Sequence, residues 1–278
     1  MAVADLRTPG SRVAGVLGRR GRIPAAVLVA LLLVAAAAPI VAPRSPEALD
    51  LANRRAAPSL THWFGTDELG RDVLTRVLYG ARVTLAVGLL SALVAAAAGV
   101  TVGAIGGYAG GWVDAVLMRV TDAALTVPRL PLLMIASAVL NPSVPVLIVV
   151  VGLAGWMETA RLVRAEFLTA KPRAFVEAAR AAGSSAPRVI VHHLLPIAAP
   201  SIAVSMTLAV GRGMLLESAM SFFGVGVQPP TPSWGNMLYQ AQTTMSSQPW
   251  LALFPGACIF ATALCINLLG DSLSQTTT

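Results

Sequence analysis

Residues 23–43 read IPAAVLVALLLVAAAAPIVAP and contain no charged side chain. A helix of these 21 residues is about 31 Å long, enough to cross the hydrocarbon core of a bilayer. Several arginines precede the stretch, and basic residues are enriched on the cytoplasmic side of membrane spans. We therefore predict a first transmembrane helix at 23–43 after a cytoplasmic tail, residues 1–22. A cleaved signal peptide is the alternative, because alanine-rich sequence precedes Pro39, but the stretch is longer than a usual signal core.

The composition of the whole chain also favours a membrane protein. Apolar residues make up 56% and charged residues only 12%, against about 25% charged in soluble domains. The net charge of +7 would suit a nucleic-acid-binding protein, but the basic residues cluster between apolar blocks, as in membrane proteins. The predicted fold is all-α and polytopic. The expected surroundings are a lipid bilayer, with no nucleic-acid partner.

Further apolar segments extend this pattern to about six spans. The five segments after the first lie at about 83–107, 112–140, 144–159, 197–225 and 251–270. An even number of spans places both termini on the cytoplasmic side, including the short tail at 273–278. The basic segment 161–196 is then inside and the uncharged loop 226–250 outside, as the charge rule requires.

Residues 44–82 form a predicted external loop between the first two spans. The loop contains six basic and five acidic residues, and prolines lie in and next to it. In its second half, residues 66–74 are expected to form a capped, amphipathic helical entry into the next span.

Charged residues inside predicted spans are expected to face protein or water rather than lipid. Asp114, Arg119 and Asp122 lie in the third span, where interface or packing roles are favoured. Arg212 and Glu217 lie in the fifth span. Charged residues within spans often mark a substrate pathway, so the two either line a translocation path or form a structural pair within or between chains.

The sequence has no motif for catalysis or cofactor binding. The only lysine, Lys171, follows Ala170 and precedes Pro172, so it is not part of a phosphate-binding Walker loop. The three histidines and two cysteines have no metal-ligand spacing, and the Gly-x-Ser-x-Gly motif of a serine nucleophile is absent from the sequence. We therefore expect neither an enzyme nor a bound metal or cofactor.

The basic segment contains a predicted pair of short helices, which we call the elbow (residues 172–196). Residues 174–182 favour a helix, Gly183 can end it, and Pro187 fits the first turn of a second helix. Several alanines on the first helix would let another surface approach closely. The elbow is therefore a candidate docking element for a partner subunit, the alternative being an ordinary surface helix between two spans.

The spacing within the elbow resembles the EAA loop of permease subunits of ABC importers. The matching residues are Glu177, Ala178, Ala179, Gly183, Leu195 and Pro196. In that family this element forms the coupling helix, which inserts into a cleft on the ATPase subunit. The resemblance implies that these residues couple the chain to its ATPase.

Further segments are similar to the C-type permeases for dipeptides, oligopeptides and nickel. The resemblance covers roughly residues 60–272 and includes, in family order, 64–74, 78–82, 106–108, 221–230, 232–237, 254–256 and 267–271. It implies a type I ABC importer permease fold with a five-helix core at 83–272 and the coupling loop at about 161–196.

The resemblance also implies partners and a location. This chain would form a heterodimer with a second permease subunit in a bacterial inner membrane. Two ATP-binding subunits, or one fused ATPase, would hold ATP and magnesium and perform hydrolysis. An extracytoplasmic binding protein would deliver di- or oligopeptides, with nickel or haem as the alternative substrates.

The external loop 226–250 is a candidate surface for the binding protein. Its predicted contact residues are Gln228, Pro229, Pro230 and Trp234. The alternative is that the loop only caps the helix bundle. A secondary transporter or channel is the competing function, but such folds tend to carry internal inverted repeats, and no convincing repeat is present in this sequence.

Overall fold

In a computed structural model of the chain, residues 19–141 and 143–275 are described. Most of the predicted N-terminal tail, Pro142 in a predicted turn, and the last three residues lie outside this part. The described residues form these α-helices: α1 Arg19–Val41, α2 Val73–Ala109, α3 Gly111–Thr126, α4 Arg129–Leu140, α5 Val144–Leu153, α6 Trp156–Ala170, α7 Ala174–Ala181, α8 Ala186–Val189, α9 Leu195–Phe222, α10 Trp234–Ala241 and α11 Trp250–Ser274.

Length and composition identify the helices that can cross a membrane. Four helical segments meet both criteria on their own, at Gly21–Val41, Val73–Ala109, Ala186–Phe222 and Trp250–Ser274. Two further spans result if each bent helix pair counts as one, namely α3 with α4 and α5 with α6. Residues 19–141 and 143–275 thus contain four to six candidate spans, and the predicted all-α class is confirmed.

The predicted third span is broken into two helices that meet at an angle of 86°. The break is at Val127 and Pro128, where Val127 is extended and Pro128 cannot donate a backbone hydrogen bond. The fourth apolar segment continues beyond its predicted end, and after a 42° bend α6 extends to Ala170. Helix α6 is amphipathic because it packs against the bundle on one side only.

The long helix α2 begins at Val73, ten residues before the apolar segment predicted for this span. Asp72 caps the helix by accepting a hydrogen bond of 2.8 Å from the backbone N–H of Thr75. The cap predicted for this region is therefore present. Residues 66–71, however, form turns and an isolated bridge between Thr66 and Asp72 rather than a helix.

Three glycines at a spacing of four residues let α2 and α6 pack closely. A Cβ atom at Gly99 would lie 2.6 Å from the carbonyl oxygen of Trp156, and one at Gly107 would lie 2.8 Å from Cβ of Phe167. At Gly103, between them, a Cβ would lie 2.9 Å from Cβ of Val163. Small residues at this spacing are typical of close helix pairs in membranes.

The two ends of α2 contact different parts of the chain. Near its N-terminus, Arg71 donates a hydrogen bond of 3.2 Å to Gln240 of α10. Near its C-terminus, the backbone carbonyl of Tyr108 accepts one of 2.7 Å from Lys171, which immediately precedes the elbow. A helix of 37 residues is about 55 Å long. The first loop and α10 therefore lie at one end of the bundle, and the elbow lies at the other.

Candidate functional site

The elbow has the bend expected from its sequence. Gly183 has a φ of +80°, and the N–H of Ser184 donates to the carbonyl of Ala179 at 3.0 Å. The N–H of Gly183 donates to Arg180 at the same distance, which completes the glycine-terminated cap of α7. Pro187 lies in the first turn of α8, whereas Ser185 occupies the N-cap position without a side-chain cap bond.

Three apolar side chains fix the elbow to the bundle. Val176 of α7, Val189 of α8 and Leu194 are fully buried. They belong to one apolar cluster with Val163 and Phe167 of α6, and Ala104 of α2 adjoins the same cluster. The elbow is therefore packed directly against α2 and α6.

The predicted coupling residues lie mainly on the solvent side of the elbow. Glu177, Ala178 and Gly183 are exposed, and Ala179 is half-buried. Leu195 and Pro196 form the first turn of α9, after a π-helical segment, Ile190–Leu194. The surface formed by α7 is thus open at its polar and small residues while its apolar side is anchored.

His192 and His193 lie in this π-helical segment and point in different directions. His192 is exposed, whereas the ring of His193 is half-buried with its centroid 6.4 Å from that of Phe175 in α7. Within residues 19–141 and 143–275, no three potential metal ligands among His, Cys, Asp and Glu lie together.

Arg212 and Glu217 do not pair with each other. Arg212 forms an ion pair with Glu158 of α6, and Glu158 also accepts a hydrogen bond of 2.8 Å from Arg129. Glu217 is completely buried and accepts a hydrogen bond of 2.7 Å from Ser221, one turn further along α9. Of the two predicted path residues, Arg212 is therefore half-buried and Glu217 is enclosed by protein.

The charges of the third predicted span pair with α6. Asp114 accepts two hydrogen bonds from the guanidinium group of Arg164, at 2.5 and 2.6 Å. Asp122 pairs with Arg161, and Arg119 is exposed. These two ion pairs join α3 to α6 and fit the packing role expected for Asp114 and Asp122.

Trp234 is buried at the start of α10. Its indole N–H donates to the carbonyl of Val77 at 3.0 Å, and its backbone N–H donates to Thr84 at 3.2 Å. Its side chain therefore holds α10 against α2 and is not available to an external partner. The exposed part of the predicted contact is Gln228, Pro229 and Pro230.

A charged network at the same end of the bundle has no counterpart in the sequence-based predictions. Asp67 accepts a hydrogen bond of 2.7 Å from Arg71 and lies 3.6 Å from the buried Arg76. Both arginines also donate to Gln240. These residues border a cavity of about 270 Å³ between the first loop and α10. The alternation of acidic and basic residues at 67–76 is the only sequence signal for it.

This architecture defines a class of protein, a multi-pass membrane subunit whose exposed helical elbow is anchored to the ends of several spans. The chain belongs to the family of binding-protein-dependent transport system inner membrane components, which matches residues 99–278. It therefore has the type I ABC importer permease fold and is a permease component of an ABC transport system.

Curated relatives match most of the chain. It is 37% identical over 247 residues to a dipeptide transport system permease protein of Alkalihalophilus pseudofirmus, covering 89% of this chain and 81% of the relative. It is 41% identical over 251 residues to a glutathione transport system permease protein of Escherichia coli, covering 90% of this chain and 83% of that protein.

Proposed function

We propose that this chain imports di- and oligopeptides as one of two different permease subunits of an ATP-driven transporter. The names of the two relatives support a peptide substrate, because a dipeptide and glutathione are both short peptides. Nickel and haem are the less favoured substrates. His62 lies in the first loop, and His192 and His193 lie in the elbow near the start of the segment Ala186–Phe222, so none is near the middle of a span.

The anchored and exposed elbow is the observation that carries this proposal. Glu177, Ala178 and Gly183 face solvent, while Val176 and Val189 are held in the bundle core. In our proposal ATP and magnesium bind to separate ATP-binding subunits, either two chains or one fused chain. The movement of those subunits is received by the coupling residues of the elbow. These are Glu177, Ala178, Ala179, Gly183, Leu195 and Pro196. A coupling interaction of this kind requires an element whose position both sites can bias.

The proposed orientation places the elbow and both termini in the cytoplasm of a bacterial cell. The basic residues of segment 161–196 support this side, because basic loops are retained in the cytoplasm. The opposite end of the bundle then faces the exterior. There, Gln228, Pro229 and Pro230 are available for a substrate-loaded binding protein.

Co-purification tests the proposed coupling. The complete transporter is expressed with a tag on this chain, and the retained ATPase subunit is quantified together with uptake of a radiolabelled dipeptide. Glu177→Arg and Gly183→Leu are expected to reduce both signals about tenfold or more, because they change the charge and shape of the docking surface. Glu47→Arg is the matched control, since it reverses the charge of an exposed acidic residue in the first loop.

Two results would overturn the proposal. One is normal ATP-dependent uptake by the double variant Glu177→Arg/Gly183→Leu. The other is labelling of a cysteine introduced at position 184 by a membrane-impermeant reagent added to intact cells, which would place the elbow outside.

A further inference from the structure

Three charged residues from three helices meet on the surface of the bundle, and we call them the arginine–glutamate cluster (Arg129, Glu158 and Arg212). Arg129 is the first residue of α4, Glu158 is in the first turn of α6, and Arg212 lies within α9. The carboxylate of Glu158 contacts one arginine through each oxygen. The cluster contains two cations and one anion.

The cluster is deep within the membrane-spanning part of the chain. Arg212 is 17 residues from the start of α9 and 10 from its end, which correspond to about 25 and 15 Å along the helix. The side chains of Glu158 and Arg212 are 38% and 42% exposed on this subunit. Charged groups at such a depth do not face lipid, so this part of the surface borders water or another protein.

The cluster retains unused hydrogen-bond donors. Each guanidinium group has five N–H donors, and Arg129 and Arg212 each contact Glu158 through one nitrogen. No other acceptor is bound to either group among residues 19–141 and 143–275. An adjoining cavity of about 20 Å³, lined also by Ser91, Gly155 and Gly213, has room for about one water molecule.

We propose that Arg129 and Arg212 bind the carboxylate of a peptide substrate as it passes through the transporter. The inference rests on the proposed function and gives the passage a chemical preference. Arginine donors match the geometry of a carboxylate, and the excess positive charge favours an anion. Glu158 holds the two guanidinium groups together and limits their net charge, so that the bound carboxylate is also released.

The ion pairs between α3 and α6, and the buried Glu217, do not offer this chemistry. Asp114 and Arg164 neutralise each other, as do Asp122 and Arg161. Glu217 is enclosed by protein and has no positive charge to offer an anion. Among these groups, only the arginine–glutamate cluster brings two arginines to one carboxylate.

The test compares two substrates in cells that express the complete transporter and lack other peptide importers. One is a radiolabelled tripeptide with a free C-terminal carboxylate, and the other is the same tripeptide with a C-terminal amide. The ratio of their uptake rates is measured for each permease variant. Because the binding protein is identical in every strain, its own preference for the carboxylate cancels when the ratios are compared.

Arg129→Gln and Arg212→Gln are each expected to lower the acid-to-amide uptake ratio about tenfold, as expected for the loss of a charge-assisted hydrogen bond. Glu158→Gln raises the charge of the cluster and is expected to increase this ratio. Arg129→Lys and Arg212→Lys keep the charge and should give intermediate ratios. Arg161→Gln, an arginine on the same helix as Glu158, is the matched control and should leave the ratio unchanged.

An unchanged ratio in Arg129→Gln and Arg212→Gln, with measurable uptake of both peptides, would overturn this inference while leaving the proposed function intact. Loss of the second permease subunit on co-purification, in the Gln and Lys variants alike, would also overturn it, because the cluster would then bind a carboxylate of that subunit. If the wild-type transporter took up neither peptide, the proposed function itself would fail.

Discussion

The ammonium group of Lys171 donates a hydrogen bond of 2.7 Å to the backbone carbonyl of Tyr108. The two residues are separated in the sequence by helices α3 to α6. The nitrogen also lies 5.6 Å from the centre of the Tyr108 ring. Tyr108 is in the last turn of α2, and Lys171 ends α6 just before the elbow. The contact therefore fixes the base of the elbow to the longest helix of the bundle.

Replacing Lys171 with methionine should weaken the connection between the elbow and α2. The expected cost is about 1 kcal/mol, because the lost hydrogen bond is charge-assisted but only partly buried. The purified transporter should unfold at a lower temperature, and peptide uptake should fall severalfold while the ATPase subunit remains bound. Thermal unfolding in detergent and uptake in cells are the two measurements.

Arg173→Met is the control for this prediction. Arg173 is exposed two residues further along, and its side chain forms no hydrogen bond or ion pair within the described part of the chain. Equal effects of the two substitutions would show that removal of positive charge, rather than loss of the contact with Tyr108, is responsible.

A second prediction concerns the ion pair between Asp114 and Arg164. The pair has two short hydrogen bonds and is largely shielded on the Asp114 side, so removal of either partner leaves an uncompensated charge. Asp114→Arg and Arg164→Asp are each expected to abolish most of the folded protein in membranes. The double variant with both changes should restore at least part of it.

The yield of folded subunit, measured by size-exclusion chromatography, decides this prediction. Asp122 and Arg161 provide the comparison, because both side chains are about half exposed and exposed pairs contribute little. The same exchange at these two positions should change the yield by less than twofold. A double variant no better than the worse single variant would contradict the importance of the Asp114–Arg164 pair.

The sequence predicts the elements of this fold better than their contacts. Apolar runs reveal the spans because the bilayer requires length and hydrophobicity, and Gly183 with Pro187 reveals the elbow because both act locally on the backbone. The break at Pro128 has an equally local cause, but the apolar run continues across it and conceals it. The cap at Asp72 marks the early start of α2 locally, but the burial of Val73 and Val77 depends on α10 and α11, which are distant in the sequence.

The candidate sites show the same limit. Arg212 and Glu217 are five residues apart on one helix, yet one reaches Glu158 and the other is enclosed by hydroxyl groups. Trp234 is predicted at a surface because it lies in a loop, but it packs into an apolar cluster and its indole N–H is satisfied by a carbonyl of α2. Partners that are distant in sequence determine these outcomes.

Glu217 gives a third prediction, which distinguishes a structural role from one in the passage. Its carboxylate accepts the hydroxyl hydrogen bond of Ser221, whose oxygen in turn accepts the backbone N–H of Val227 at 2.9 Å. Glu217→Gln retains an acceptor of the same size and should preserve folding and uptake. Glu217→Leu removes the acceptor and is expected to cost about 1–3 kcal/mol.

The readouts for Glu217 are the thermal unfolding temperature and the acid-to-amide uptake ratio. The ratio should be unchanged in both variants, since the side chain does not reach the surface. A ratio lowered as much as in Arg212→Gln would mean that Glu217 contacts the substrate.

The last prediction tests the close packing of α2 and α6. Gly103→Leu inserts a side chain where even a Cβ atom would lie 2.9 Å from Cβ of Val163, so the helices must separate. Overpacking of this kind costs about 1–3 kcal/mol or more, and the packing at Gly99 and Gly107 would be lost with it.

Ala97→Leu is the matched control, because Ala97 is an exposed residue of the same helix. Gly103→Leu should reduce the folded yield strongly and Ala97→Leu hardly at all, and a normal yield for Gly103→Leu would contradict the close contact. Because α6 also carries Glu158, any Gly103→Leu protein that does fold should show an altered acid-to-amide uptake ratio.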